Sequence, residues 1–259
     1  MINKGLFEGI ENKRNQCLIF LVFDTSGSMY GEKIGSVNRA IEDALDEMQK
    51  LSDSNSYSQI EVAVLDFSDQ AKWVADSPKT PCEFKKVWNP LKASGQTKLG
   101  LALKELNSKL KRKSHGGWID DSRGVCPPGI IFLTDGAPGD NWESGLALLK
   151  NNDWYNNAFK FCLIASDDGN SSERVVNVCK QLVNSGDGEN GVHLISESNM
   201  RKLSDYIKLT TIAISKITST VTNNSAHGKT EMQKGVDQRM LSIKQDLEKI
   251  DTIDDLIGD

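Results

Sequence analysis

The sequence lacks any hydrophobic run that could span a bilayer. The longest apolar runs, such as 17–23 and 130–133, are far shorter than the roughly 20 residues that a membrane-spanning helix needs. Residues 1–15 are too polar for a signal peptide. We therefore expect a cytoplasmic protein that has no membrane partner.

Cysteine and histidine are also scarce, and neither is arranged as a metal or redox motif. The five cysteines are scattered and contain no C-x-x-C pair, and the three histidines lie far apart at positions 115, 193 and 227. We expect the cysteines to be reduced thiols, mostly buried.

Positive charge is not in excess, which bears on the choice of partner. The 36 acidic and 31 basic residues give a formal charge of −5, which argues against binding nucleic acid through general phosphate attraction. Hydrophobic residues make up 38% of the chain, enough to bury a core. We expect a folded protein with no nucleic-acid partner.

Short apolar runs alternate with longer amphipathic stretches along the chain. This alternation predicts a doubly wound α/β fold of the Rossmann-like type, with a mostly parallel central sheet and helices on both faces. The unbroken run 17–23 predicts a central strand, and 72–74 predicts an antiparallel edge strand. The other predicted strands are 60–67, 130–134, 158–165 and 191–195. The predicted helices are 34–51, 97–110, 145–151, 173–183 and 199–217, with a helical turn in 82–88. The loop 111–129 has the length of a recognition element.

The compact domain is predicted to span 15–217, after an N-terminal extension at 1–14. Residues 218–235 are rich in Thr, Asn, Ser and Gly, which favours a linker. Residues 236–259 carry an apolar stripe at helical spacing and predict a C-terminal amphipathic helix. That helix either folds back onto its own domain or binds a partner or a second copy.

The most informative segment follows the first predicted strand. Asp24, Ser26 and Ser28 come where that strand ends, and Asp135 follows another buried strand, directly before Gly136. Ligands of open parallel sheets bind outside the carboxyl ends of the strands. Carboxylates and hydroxyls suit a hard divalent cation, so this pattern predicts a metal site. The alternative is that the aspartates cap helices and the serines satisfy turn amides.

These residues resemble the von Willebrand factor A domain over about residues 14–217. The resemblance rests on Asp-x-Ser-x-Ser after the first strand, a Thr before a central helix, and Thr-Asp-Gly after a later strand. It implies a metal-ion-dependent adhesion site (MIDAS), with Ser26 and Ser28 as hydroxyl ligands. Asp24 and Asp135 would bind the metal directly or through water, and Thr97 in one state of the site, with Ser94 as its rival. We expect Mg²⁺, with Mn²⁺ or Ca²⁺ as alternatives.

The resemblance also implies a function in binding and not in turnover. A protein partner would supply an Asp or Glu side chain as the last metal ligand. Among bacterial relatives the sequence is most similar to tellurium-resistance-associated proteins, which act beside a protein kinase and a metal-dependent protein phosphatase. This implies an adaptor or scaffold in phosphosignalling, stress response or defence.

Enzyme functions fit the sequence less well. A haloacid-dehalogenase phosphatase needs a second Asp where Ser26 stands, and neither a nucleophile elbow nor a G-x-x-x-x-G-K-[ST] loop is present. The alternative function is a metal-dependent phosphoester hydrolase or the regulatory subunit of a phosphatase.

Three other features have simpler structural explanations. We interpret 166–169 as turns and a helix cap rather than a second metal site, and 109–113 as a basic helix C-terminus rather than an anion site. For Trp118, Trp142 and Trp154, placed beside the binding face, we favour packing over partner contact.

Overall fold

The computed structural model describes residues 13–166, 171–183 and 192–196. The helix predicted at 199–217, the linker at 218–235, the C-terminal helix and most of the N-terminal extension lie outside the described residues. The domain boundaries therefore stay predictions.

The described residues form one six-stranded sheet in the order β3-β2-β1-β4-β5-β6. All neighbouring strands are parallel except β3, which pairs with β2 in antiparallel orientation at one edge. The predicted fold class is thus confirmed, including the antiparallel edge strand. The strands are Asn15–Asp24 (β1), Ser58–Phe67 (β2), Ala71–Trp73 (β3), Gly129–Thr134 (β4), Phe159–Ser166 (β5) and Val192–Ser196 (β6).

All but one of the described helices lie where the sequence predicts helical structure, with differences at their ends. They are Glu32–Ser54 (α1), Pro81–Val87 (α2), Leu99–Lys109 (α3), Trp142–Lys150 (α4), Asp153–Asn156 (α5) and Glu173–Val183 (α6). Helix α2 is a complete element because Thr80 and Glu83 form a capping box at its start. Helix α5 was not predicted, because its single turn is too short to show a helical period. Among the described residues, no helix has both the length and the apolar character that crossing a bilayer requires.

Strand β1 lies in the middle of the sheet, and the side chains on its two faces pack into two separate hydrophobic cores. Cys17, Ile19 and Leu21 face the cluster that includes α1, whereas Leu18 and Phe20 face the cluster that includes α3, α4 and α6. A strand that is covered on both faces must be apolar at every position, which explains the unbroken run. The five cysteines all lie within the described residues, form no disulfide, and are buried except Cys82.

The loop 111–128 lies at the amino end of β1, away from the predicted site. The Gln16 side chain accepts a hydrogen bond from the Asp120 N–H at 2.8 Å and donates one to the Trp118 carbonyl at 3.1 Å. Trp118 itself is 7% exposed and packs in the core. The placement of Trp118 on the binding face was therefore wrong, because this loop closes the opposite end of the sheet. Trp142 is also buried in the core, as we favoured.

The strand order reverses direction between β1 and β4. The chain leaves β1 toward β2 and β3, and then returns to place β4 on the other side of β1. The loops after β1 and β4 therefore diverge and open a crevice at the carboxyl edge of the sheet. Asp24 ends β1 and Asp135 follows β4, so the fold brings both residues to this crevice.

Candidate metal centre

Asp24 lies at the bottom of the crevice and is fully buried. Its Oδ1 accepts a hydrogen bond from the Ser26 N–H at 2.8 Å, and its Oδ2 accepts one from the Thr134 hydroxyl at 2.6 Å. Burial raises the pKa of Asp24, the hydrogen bonds from Thr134 and Ser26 oppose this rise, and the negative charge of Asp135 adds to it. In the described part of the chain no basic side chain forms a salt bridge with Asp24.

Ser26 and Ser28 lie on the loop that follows β1. Ser26 has extended backbone angles and precedes a 3₁₀ turn, Gly27–Met29, which brings the two hydroxyls within 3.1 Å of each other. Ser26 is buried, whereas Ser28 is exposed. The turn therefore places one hydroxyl deep in the crevice and the other at its opening.

Asp135 faces these serines from the end of β4. Its Oδ1 accepts a 2.6 Å hydrogen bond from the Ser28 hydroxyl, and its Oδ2 accepts a 3.0 Å hydrogen bond from the Lys33 ammonium. The Asp135 side chain is only 1% exposed. Residues more than 100 positions apart thus share one continuous group of polar atoms.

Thr97 belongs to the same group of side chains. A Cβ atom added to Gly136 would lie 3.2 Å from the Thr97 hydroxyl and 3.8 Å from the Ser28 hydroxyl, so both hydroxyls border the same space. Ser94, the rival ligand, is exposed, and its backbone N–H donates to the Thr25 carbonyl at 2.8 Å. Of these two residues, only Thr97 has its hydroxyl placed beside Gly136 and Ser28.

Backbone contacts hold the Thr97 loop against the loop after β1. The Gly27 N–H donates to the Gly95 carbonyl at 2.9 Å, and the Gly139 N–H donates to the Thr97 carbonyl at 2.8 Å. Gly95 has φ of +80°, a conformation that favours glycine. The Asp69 carboxylate, beside Gly95, accepts from the Gln96 N–H and pairs with Lys98. Asp69 therefore positions the loop that carries Thr97.

The five predicted ligands thus lie at one edge of the sheet and form what we call the metal cup: Asp24, Ser26, Ser28, Thr97 and Asp135. Its two carboxylates are buried, and Ser28 borders the solvent. A buried carboxylate without a basic partner, such as Asp24, is costly unless a cation compensates it. The donor set of carboxylate and hydroxyl oxygens therefore fits a hard divalent cation. Their role as metal ligands stays a prediction.

Outside the metal cup, the described part of the chain brings no further cluster of metal-binding side chains together. Within residues 13–166, 171–183 and 192–196, no three His, Cys, Asp or Glu residues form a cluster suited to a metal. His115 is exposed on a 3₁₀ turn, and His227 lies outside the described residues. Asp167 and Asp168, considered for a second site, lie outside them as well.

Lys33 and Thr134 belong to the surroundings of the metal cup but were not predicted as site residues. Lys33 lies in the first turn of α1 and shares its buried face with Val37 and Ala40, at helical spacing. A lysine on an apolar helix face is a signal that could have been noticed, because lysine is rarely buried without a partner. Thr134 precedes Asp135, but its bond to Asp24 depends on the pairing of β1 with β4.

The fold and the cup define an α/β domain with an oxygen-rich site at its sheet edge. The family model of the von Willebrand factor type A domain matches residues 19–253, and the chain belongs to this family. The search of curated proteins found no match.

Solved structures share the fold at low sequence identity. The pilus adhesin SpaC from Lactobacillus rhamnosus GG is 16% identical with a TM-score of 0.57, over 80% of this chain and 31% of that one. Proximal thread matrix protein 1 from the mussel byssus, solved with a zinc-occupied MIDAS motif, is 20% identical with a TM-score of 0.52, over 76% and 48%. BatB from Bacteroides thetaiotaomicron, described as a conserved hypothetical protein, is 14% identical with a TM-score of 0.51, over 77% and 99%. This chain spans less than half of the first two proteins.

Proposed function

We propose that the protein is a non-enzymatic interaction module that binds an acidic side chain of a protein partner through a divalent cation. The observation that carries this proposal is the metal cup, in which Asp24 is buried without a basic partner in the described residues. The mussel protein, which shares the fold, has zinc in its MIDAS motif. We propose Mg²⁺ as the resident ion, because its ligands in proteins are oxygen atoms.

The charges of the cup favour an acidic partner. Asp24 and Asp135 carry two formal negative charges, and the Lys33 ammonium adds one positive charge beside Asp135. A bound divalent ion would leave this group with one net positive charge. Ser28 borders the opening, so a carboxylate from another protein can approach the ion from the solvent.

We further propose a cytoplasmic location and an adaptor role in a bacterial system of the tellurium-resistance type. In such a system a protein kinase or phosphatase would supply the acidic residue. The support is the similarity of the segments 22–29 and 127–136 to those relatives. The chain spans only part of the adhesin and of the mussel protein, so the activities of those whole proteins are not assigned to it.

Metal binding is the first test of this proposal. Isothermal titration of Mg²⁺ and Mn²⁺ into the full chain should show one site in the wild type and a strongly weakened site in Ser28→Ala. Ser28 is exposed, so this variant should keep its fold. The matched control is Ser54→Ala, an exposed serine at the end of α1. A wild type that binds neither ion would refute metal-dependent partner binding by this protein.

Partner binding is the second test, and it separates an adaptor from an enzyme. If the protein is an adaptor, the wild type should capture a partner protein in the presence of Mg²⁺. The same partner should be lost when chelator is added and when Ser28→Ala replaces the wild type. Assays on phosphoesters should show no turnover. Turnover that disappears in Asp24→Ala would instead support the hydrolase alternative.

A further inference from the structure

Lys33 forms a buried ion pair with a predicted metal ligand. Its Nζ lies 3.0 Å from Oδ2 of Asp135, and the two side chains are 11% and 1% exposed. Surface ion pairs of lysine contribute little, but this pair is almost entirely shielded from water. The ammonium is therefore a fixed part of the metal cup's surroundings.

The position of Lys33 in its helix is unfavourable by itself. The first turn of a helix carries the positive end of the helix dipole, which disfavours a cation there. Lys33 also lies on the buried face of α1, together with Val37 and Ala40. The carboxylate of Asp135 compensates both effects, because it supplies an opposite charge within hydrogen-bond distance.

This ion pair changes the charge that an incoming metal ion meets. Asp24 and Asp135 alone would offer two negative charges, but Lys33 neutralises one of them. Oδ1 of Asp135 faces the Ser28 hydroxyl, whereas Oδ2 faces the lysine. A divalent ion that binds this carboxylate therefore lies close to the Lys33 ammonium, which is hydrogen-bonded to Oδ2. Two positive charges at such a short distance repel strongly when water is excluded.

We propose that Lys33 is a built-in competing cation that lowers the affinity of the metal cup for divalent ions. This inference rests on the proposed function, since it requires that the cup binds a metal. Lys33 keeps the affinity of the cup for a divalent ion below that of two carboxylates without a neighbouring cation. The fraction of cups that hold an ion then rises and falls with the free concentration of divalent ions. Partner binding through the ion follows the same concentration.

The test compares metal affinities of the full chain at one fixed ionic strength. Titration of Mn²⁺ alone into Lys33→Met should give an affinity at least about tenfold tighter than the wild type. Lys33→Arg keeps the positive charge and should stay within a few-fold of the wild type. Lys50→Met is the control, because it removes an exposed lysine from the same helix, about 25 Å farther along its axis. Lys33→Gln is the second uncharged variant, for use if the methionine variant does not fold.

The rise in melting temperature on adding Mn²⁺ is a readout that a purely structural lysine would not move. In chelator, Lys33→Met should melt below the wild type, because Asp135 loses its buried counter-charge. Added Mn²⁺ should then raise the melting temperature of Lys33→Met more than that of the wild type. If Lys33 only supports the fold, the substitution should lower the melting temperature by the same amount in chelator and with Mn²⁺.

The outcomes separate this inference from the proposed function. Equal Mn²⁺ affinity in the wild type and both uncharged variants would overturn the role of Lys33 and leave the metal cup standing. Binding by the uncharged variants but not by the wild type would support the inference, since the lysine then blocks the site. The absence of binding in every variant would refute the metal cup itself, and the inference with it.

Discussion

The Thr134 hydroxyl donates a 2.6 Å hydrogen bond to Oδ2 of Asp24 and so joins the last residues of β4 and β1. Both side chains are buried, so water cannot replace this bond. Thr134→Val removes the donor and keeps the shape of the side chain. We expect the free energy of unfolding in chelator to fall by about 1–3 kcal/mol, the cost of leaving a buried acceptor unsatisfied. Urea unfolding followed by circular dichroism measures this loss.

The serine variant provides the control for that experiment. Thr134→Ser restores the hydroxyl but not the methyl group, and it should recover most of the lost stability. If valine proves as stable as threonine, the bond contributes nothing to holding Asp24.

Gly136 borders the hydroxyl side of the metal cup. A Cβ atom there would lie 3.2 Å from the Thr97 hydroxyl, which is tighter than an ordinary contact. The φ of Gly136 is not positive, so Gly136→Ala adds no backbone strain. We expect the variant to fold normally and to bind Mn²⁺ about tenfold more weakly, because Thr97 must move. Calorimetric titration measures this affinity.

Gly139→Ala is the matched control for this loop. Its added Cβ would meet only the Thr97 carbonyl, at an ordinary 3.7 Å. Equal affinities in the two alanine variants would mean that the space between Thr97 and Gly136 has no role in metal binding.

Gly95 and Gly116 have almost the same backbone conformation in different surroundings. Their φ values are +80° and +79°, but a Cβ on Gly95 would collide with the Asp69 carboxylate, whereas one on Gly116 would meet nothing within 4 Å. Gly116→Ala should therefore cost about 1–2 kcal/mol of unfolding free energy, from backbone strain alone. Gly95→Ala should cost more and also weaken Mn²⁺ binding, because it displaces the loop that carries Thr97.

Urea unfolding and Mn²⁺ titration of both variants separate strain from collision. The prediction fails if Gly116→Ala weakens Mn²⁺ binding as much as Gly95→Ala does. In that case the Asp69 contact would not position Thr97.

The strands of the sheet and the edge that carries the metal cup could be predicted from the sequence, because each is marked by a short, continuous stretch of residues. The run 17–23 is apolar at every position, as a strand that is covered on both faces must be. Asp24 and Asp135 each follow such a strand, and parallel strands end at the same edge, so their proximity follows from the fold class. These predictions need no knowledge of which side chains touch.

The features that could not be predicted depend on contacts between distant segments. The Lys33–Asp135 pair joins residues 102 positions apart, and Thr134 meets Asp24 only because β4 lies beside β1. The loop with Trp118 has the length of a recognition loop, yet Gln16 binds it to the amino end of the sheet. Loop length does not show at which end of a sheet a loop lies.

Removal of divalent ions should lower the thermal stability only modestly. The two hydrophobic cores on either face of the sheet consist of side chains outside the metal cup. A divalent ion at a free concentration about 100 times its dissociation constant would stabilise the folded state by about 2.7 kcal/mol. For a domain of this size, that corresponds to a rise in Tm of roughly 5–10 °C. Differential scanning calorimetry with Mg²⁺ and with chelator measures the shift, and complete unfolding by chelator would contradict the prediction.

Lys160 gives the fold a pH dependence that is separate from the metal cup. The residue is 4% exposed in β5, and its ammonium donates to the carbonyls of Tyr155 at 2.8 Å and Ala158 at 3.1 Å. Burial lowers the pKa of Lys160 from 10.5 to about 8. Between these two pH values the unfolded chain holds a proton at Lys160 that the folded chain has released. The contribution of Lys160 to stability must therefore rise as the pH increases through this range.

The variant Lys160→Met removes this titration and keeps a side chain of similar length. The free energy of unfolding of the wild type minus that of the variant should increase by about 3 kcal/mol between pH 7.5 and 11, given about 1.4 kcal/mol for each pKa unit. Urea unfolding at a series of pH values in chelator measures this difference. Lys150→Met, which changes an exposed lysine at the end of α4, should follow the wild type throughout. A flat difference for Lys160→Met would show that the buried amine keeps its ordinary pKa in the folded protein.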